Sequence, residues 1–434
     1  MSLAPASYRA VFTHREFMAL LAASLVSMIG DQVARIALSV LVYQRTQSAV
    51  MSAAVFAVSY LPWVLGGPLL ATLGDRLPPR RVLIGCDLMR AVIVLGLVIP
   101  GVPIWLLLMM IFVAELAAPP FESTRSALMP TLLPGDDYVI GVSVMGAVQQ
   151  GAQVLGFAVG GLILTVLTPR EALYVDALSF VVSALLLLAL RARPAAAADE
   201  HGSLLSGAAR AVRVVWRTPR LRLLILMAWL GCGVSVVSEG VAAPYSRQLG
   251  HGVEAVGLLL ATVPLGCALG GLAITRLVVP ERRLQLLPPL VCLAGAPLLL
   301  LAVDPPLPAV LVVLTLSGVG SSAIVLISTT VGREVDPDIR GRVFSIAASG
   351  LMVSQGAGVL AGGALAHVLS VHAALAVLGL LSVLLSGWAT VAWRRVNAAS
   401  PPPDDRAGGR VDIPAQSERP ATQPPAPSRP ATHP

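Results

Sequence analysis

The chain has 434 residues, 56% apolar and 12% charged, with a mean hydropathy of +0.82. Soluble domains carry about 25% charged residues, so an ordinary water-soluble core is excluded. The net charge of +7 comes without a single lysine, and where the arginines fall decides what that charge means.

Uncharged or nearly uncharged runs of about 20 residues recur along the chain, each long enough to cross a hydrocarbon slab roughly 30 Å thick as a helix. In chain order they predict spans over 17–42, 49–73, 82–100, 103–121, 139–166 and 172–190, and then 221–243, 254–275, 284–302, 308–330, 343–367 and 372–392. Gly and Pro within them do not argue against helix, because neighbouring spans satisfy the freed backbone groups. The two sets of six are related. QGAQVL at 150–155 returns as QGAGVL at 355–360, and Gly66-Gly67 before Arg80-Arg81 returns as Gly270-Gly271 before Arg282-Arg283. Such a long period is not that of a solenoid. It predicts an all-α integral membrane protein of twelve transmembrane helices in two six-helix bundles, a 6+6 pseudo-repeat.

The expected domains are an N-terminal bundle over 1–190, a linker over 191–220, a C-terminal bundle over 221–397, and a Pro-rich tail over 398–434. In the linker, Leu204 to Trp216 alternates apolar residues with arginines as a helix lying on a membrane surface would. The tail cannot bury enough apolar surface to fold and is expected to be disordered.

One alternating set of loops holds nearly all the arginines, while the other holds Arg45, Arg170 and Arg247. By the positive-inside rule both termini are expected in the cytoplasm, with the protein a multi-pass resident of the bacterial cell membrane. The charge is thus a topology signal, and no nucleic-acid partner is expected. The first apolar run is long and contains Asp31 and Arg35, unlike the core of a cleaved signal. Cys86, Cys232, Cys267 and Cys292 all fall within predicted spans and read as packing residues. The histidines lack metal-ligand spacing, so no metal is expected. P-loop, GxSxG and HExxH patterns are absent, which argues against an ATP-driven pump or a membrane hydrolase, and no enzymatic activity is expected.

The segment ATLGDRLPPRR at 71–81 resembles the signature GxLaDrxGRkxxl of the major facilitator superfamily, with Asp75, Arg76, Arg80 and Arg81 in register, Ala71 in place of the first Gly and Pro78 in place of the second. GFAVGG at 156–161 resembles the GPxxGG motif of its antiporter branch, with Phe157 where Pro is usual. REFMALLAASLVSMIGDQVARIALSVLVYQRTQSAV (15–50), FESTRSALMPTLLP (121–134) and DPDIRGRVFSI (336–346) look like the bacterial exporters related to the enterobactin exporter and macrolide efflux proteins. The resemblance implies a twelve-helix exporter coupled to protons, with spans 1, 4, 7 and 10 lining a central cavity. It also implies that Asp75 contacts span 11, with Arg76, Arg80 and Arg81 completing a cytoplasmic gating latch.

An ionisable side chain at bilayer depth is costly unless paired or hydrated, so it is a functional candidate by default. Asp31 and Arg35 in span 1, Glu115 in span 4 and Glu239 in span 7 are the proton-coupling or substrate-binding candidates. Asp31 and Arg35, four residues apart, could instead pair with one another. Asp87 and Arg90, three apart in a span that the resemblance places at the periphery, are expected to pair with each other or with the Asp75 loop. Asp176 is expected to be structural. Gln150, Gln153 and Gln355 are possible polar groups of the cavity. Gly156, Gly160, Gly161, Gly362 and Gly363 are expected to let spans 5 and 11 approach the opposite half closely.

The function expected is secondary active export of a small amphipathic molecule, such as a drug, secondary metabolite or siderophore, by proton antiport and alternating access. No cofactor is expected beyond the proton gradient. The expected partners are the small-molecule substrate, protons and the lipid bilayer, with the protein a monomer. The alternatives are a proton-coupled importer of a small nutrient and a transport-inactive membrane sensor or scaffold.

Overall fold

The computed structural model describes residues 8–191 and 212–399, with the backbone alone over 64–76 and at a few further positions. After a short helical turn at Tyr8–Thr13, twelve long helices follow. The first half holds α1 (Arg15–Thr46), α2 (Ala49–Arg76), α3 (Pro79–Leu97), α4 (Ile104–Leu132), α5 (Asp137–Val166) and α6 (Pro169–Leu187). The second holds α7 (Pro219–Gln248), α8 (Val253–Leu277), α9 (Pro280–Val303), α10 (Leu307–Glu334), α11 (Pro337–Val368) and α12 (Val371–Ala399). Among the described residues, nine of these helices are long and apolar enough to cross a membrane. Trp105, Leu162, Leu178 and Leu384 are each more than 60% exposed, which is favourable only where lipid surrounds the bundle.

Local chemistry sets the helix ends. Gln47 adopts φ +49 in the tight turn after α1, and the Ser48 hydroxyl then accepts from the Met51 amide to start α2. Thr168 and Glu171 form a reciprocal capping box at the start of α6, with Pro169 at its first position. Prolines also break helices from within. Pro119 and Pro120 crowd the carbonyls four residues earlier, and α4 interrupts its ladder at Leu116–Ala117 before continuing to Leu132. Helices α7 and α10 are also interrupted, at Val236 and Ser322, with no proline at either break.

The reach of α4 differs from the sequence expectation, which ended that span at residue 121 and put Arg125 in a loop. Arg125 is only 5% exposed on the extended helix. It pairs with Glu122 one turn earlier. The Gln149 carbonyl oxygen, in the amide orientation that satisfies both groups, lies 2.6 Å from it. Neutralisation by these partners lets the helix run on past the end of its apolar stretch. Most of the Leu204–Trp216 segment and the tail from residue 400 lie outside the described residues; residues 212–217 are helical.

Helix α1 begins, and α12 ends, at what we call the basal face; the opposite face is distal. Among the described residues the apolar core is divided in a way that follows this axis. At the distal end one cluster joins both halves, including Phe56 and Phe157 from the first and Val241, Leu260 and Val359 from the second. At the basal end the halves keep separate clusters, one around Phe17, Leu128 and Leu187 and the other around Leu224, Val291 and Val343.

Glycines permit the distal contact. A Cβ on Gly161 would lie 2.8 Å from the Gly257 Cα on α8, and one on Gly363 would lie 2.5 Å from the Ala53 Cβ on α2. Gly156, Gly160 and Gly362 depart from the expectation that they face the opposite half. Gly156 and Gly160 meet Gln32 and Val33 of α1, and Gly362 meets Val237 of α7, each within its own half. On a helix, positions four residues apart share a face and adjacent positions do not, so Gly156 and Gly160 face α1 while Gly161 faces α8, and a single GxxxGG run serves two neighbours at once.

Candidate functional site

Between the halves lies a cavity of about 370 Å³, within the range of small-molecule sites. Arg35, Tyr60 and Gln150 contribute from the first half, and Glu239, Cys267 and Gln355 from the second. Two polar contacts cross it. The Tyr60 hydroxyl donates to Glu239 Oε2 at 3.0 Å, and Gln150 Nε2 donates to the Pro264 carbonyl at 2.8 Å. Glu239 sits in the first turn of the second segment of α7, where its amide bonds the Val236 carbonyl at 2.9 Å. It is 4% exposed. Gln153 lines the same cavity.

A second, smaller pocket of about 40 Å³ lies wholly within the first half. Its polar wall is a cluster of charges drawn from α1, α3, α4 and α6. Arg90 is the centre of it. Its Nη1 lies 3.4 Å from Asp31 Oδ2 and its Nη2 lies 3.2 Å from Glu115 Oε2. Its Nε donates to the Ala114 carbonyl at 3.3 Å. Its guanidinium also lies 5.2 Å from the Phe180 ring centroid, over the ring. The helix interruption explains the Ala114 contact, because a positive group at the end of a helical segment complements the carbonyls there. Arg35 reaches the other oxygen of Glu115, Nη2 to Oε1, at 3.5 Å. Asp176 completes the wall and takes a hydrogen bond from Ser179.

These pairings differ from those expected from spacing. Asp31 meets Arg90 of α3, and Arg35 meets Glu115 of α4, so the i, i+4 pair on α1 is replaced by contacts between helices. Asp87 accepts from Ser183 of α6 at 2.6 Å, leaving Arg90 free to turn to the other carboxylates. Arg90 is therefore an interior member of the candidate site, although the family resemblance places its span at the periphery. Its signal was available: a buried arginine in an apolar run requires counter-charges, and its own helix holds one carboxylate for a bundle that holds several. Of the gating motif, Arg80 is half-buried and Arg81 exposed at the start of α3; the side chains of Asp75 and Arg76 lie outside the described residues.

Residues 20–287 and 240–430 match the sequence profile of the Major Facilitator Superfamily. The chain belongs to that superfamily. Over 383 residues it is 27% identical to the multidrug efflux pump Tap of Mycolicibacterium fortuitum, covering 84% of this chain and 93% of that one. Over 180 residues it is 21% identical to macrolide efflux protein A of Streptococcus pyogenes, covering 41% of this chain and 44% of that one. Two solved structures share the fold. A bacterial homolog of the human lysosomal transporter Spinster, in an inward-facing and occupied conformation, aligns at a TM-score of 0.70 with 12% identity, covering 88% of this chain and 96% of that one. The nucleoside transporter NupG aligns at 0.67 with 14% identity, covering 88% and 98%. As a member of the superfamily the protein is a multi-pass membrane transporter of small molecules and not an enzyme.

Proposed function

We propose that the protein exports a small amphipathic molecule from the cytoplasm in exchange for protons, by alternating access between its two halves. The observation that carries this reading is the charge count of the inner pocket. Three carboxylates, Asp31, Glu115 and Asp176, face two guanidiniums, Arg35 and Arg90. In a low-dielectric interior an uncompensated charge costs several kcal/mol, and a single proton restores neutrality. Each proton re-entering down a membrane potential supplies about 2.3 kcal/mol per 100 mV, which can drive a substrate uphill.

Two observations support the direction. By the positive-inside rule the arginine-rich loops favour a cytoplasmic basal face, where the two cores are separate, and on that reading the central cavity belongs to a state that loads from inside. The efflux roles carried in the names of Tap and macrolide efflux protein A favour export over nutrient uptake. Asp31, Arg35, Glu115 and Glu239 form the coupling and binding set, Gln150, Gln153 and Gln355 the polar lining, and the Asp75–Arg81 loop the basal gate.

Reconstituted vesicles with an imposed pH gradient test the reading. Glu115→Gln imitates a permanently protonated carboxyl, so gradient-driven accumulation is expected to fail while downhill exchange continues. Full gradient-driven transport by that variant would remove Glu115 from the proton path.

A further inference from the structure

Among the described residues the two cavities share two lining residues, Arg35 and Ser59. Their sizes assign them different guests. The inner pocket, at about 40 Å³, has room for water, which needs about 10–15 Å³ of such space, but not for an organic substrate. The central cavity, at about 370 Å³, has room for one. Among its described lining residues Glu239 is the one carboxylate, and the aromatic rings of Tyr60 and Trp63 line the same space. That combination suits an organic cation with apolar surface.

The two arginines of the cluster are held very differently. Arg90 has three hydrogen-bond partners and a ring beneath it, and is 9% exposed. Arg35 has one contact, at 3.5 Å, and its Nε is buried without a hydrogen-bond partner. A guanidinium left with unmet donors and one long ion pair is the member of the cluster that can move. On one side of it is Glu115; on the other is the cavity that holds Glu239.

We infer that proton and substrate occupy separate cavities and that Arg35, as a positioning residue on their shared wall, couples them. Resting on the proton-coupled reading above, the cycle is as follows. With Glu115 ionised, Arg35 is drawn into the inner pocket, and Glu239 is free to receive an organic cation. A proton from water then binds Glu115, forming its O–H and cancelling the charge that held Arg35. The guanidinium turns into the central cavity, pairs with Glu239 and displaces the cation. Loss of that proton to water resets the cluster. The groups that face Glu115 throughout are Asp31 and Arg35 of α1, Tyr60 of α2, Arg90 of α3 and Asp176 of α6; Asp87 acts on Arg90, and Glu239 acts on Arg35 from across the cavity. Arg90 stays in place and neutralises whichever carboxylate is ionised.

This differs from direct competition, in which proton and cation contend for the Glu239 carboxylate itself. Ethidium binding to the purified full chain, followed by fluorescence at alkaline and mildly acidic pH with proton release into weakly buffered solution, separates the two. Wild-type protein is expected to bind on the order of tenfold more weakly at acidic pH and to release protons on binding. Glu115→Gln should bind weakly at both pH values, because Arg35 is permanently released. Glu115→Gln with Arg35→Gln should regain the affinity lost by Glu115→Gln alone and release no protons. That double variant removes one charge of each sign, so it preserves the cluster's balance and its folding. Arg35→Gln alone is expected to lose the pH dependence, an independent check of the same point.

A double variant as weak as Glu115→Gln, or an Arg35→Gln protein that keeps the wild-type pH dependence and proton release, overturns the role of Arg35 in favour of direct competition. Wild-type binding that neither varies with pH nor releases protons overturns the proton-coupled reading itself. Wild-type protein that binds no ethidium at either pH overturns the cation assignment and the proposed coupling with it.

Discussion

Gly161 of α5 and Gly257 of α8 touch backbone to backbone across the two halves. A Cβ on Gly257 would lie 2.6 Å from the Gly161 Cα and 2.6 Å from the Phe157 carbonyl oxygen. Neither obstacle is the flexible end of a side chain, so the helices themselves must separate to admit a methyl group. Because this contact belongs to the distal seal, Gly257→Ala should favour the state in which the distal face is open. Spin labels at the exposed positions Gln44 and His251 should report a longer separation in that variant. An unchanged distance distribution would show that the seal does not depend on this contact.

Arg247 forms a polar counterpart to that seal. Its Nη1 donates to Gln47 Oε1 at 2.8 Å, and its guanidinium lies 5.8 Å from the Tyr43 ring centroid, joining the end of α7 to the end of α1. Both partners are on the surface, where such contacts contribute about 0.5–1 kcal/mol. Arg247→Ala is therefore expected to shift the same label populations by about twofold to fivefold, with folding intact. A shift as large as that of Gly257→Ala would mean that the arginine, and not the glycine contact, controls closure.

How far the sequence discloses this architecture depends on which physical rule each feature obeys. The twelve helices are legible because span length follows from bilayer thickness. The distal seal is partly legible, since Gly161 and Gly363 lie just beyond the repeated QGA stretches, among the glycines expected to let spans 5 and 11 approach the opposite half. Helix periodicity also places Ser24, Ser27, Asp31, Arg35 and Ser39 on one face of α1. It says nothing about which neighbour that face meets, and so Asp31–Arg90 and Arg35–Glu115 could not be read from spacing within a helix. The extension of α4 was hidden for a related reason. Hydropathy falls at Glu122, but the cost of carrying Arg125 inward is offset by Glu122 and Gln149, and Gln149 lies on a different helix. The interruption beside Pro119-Pro120, which leaves the Ala114 carbonyl to Arg90, is also missed, because prolines within apolar runs read as compatible with continuous helix.

Orientation rests on the arginines alone and is open to a direct test. A reporter fused after Arg193 should report a cytoplasmic position, and one inserted beside Arg170, at the start of α6, an external one. Equal signals from both positions would contradict the alternation that twelve crossings require. Reversed signals would keep the fold and invert the proposed direction of loading.

The two buried arginines should differ in what their loss costs. Arg90→Ala takes counter-charge from Asp31 and Glu115 together and strips the Ala114 carbonyl of its side-chain donor. Removing one partner of a buried ion pair typically destabilises by about 3–5 kcal/mol, and here two carboxylates are exposed to that loss. Arg35→Ala leaves Glu115 still paired with Arg90 and removes one long contact, which should cost on the order of 1 kcal/mol. Arg90→Lys should fall between, since an ammonium keeps the charge but cannot reach both carboxylates and the carbonyl with one planar fork. Thermal unfolding of the purified proteins in detergent should rank them Arg90→Ala, Arg90→Lys, Arg35→Ala, from least to most stable. If Arg35→Ala proved as unstable as Arg90→Ala, Arg35 would be a fixed structural member of the cluster, and a guanidinium locked in place cannot carry a signal between two cavities.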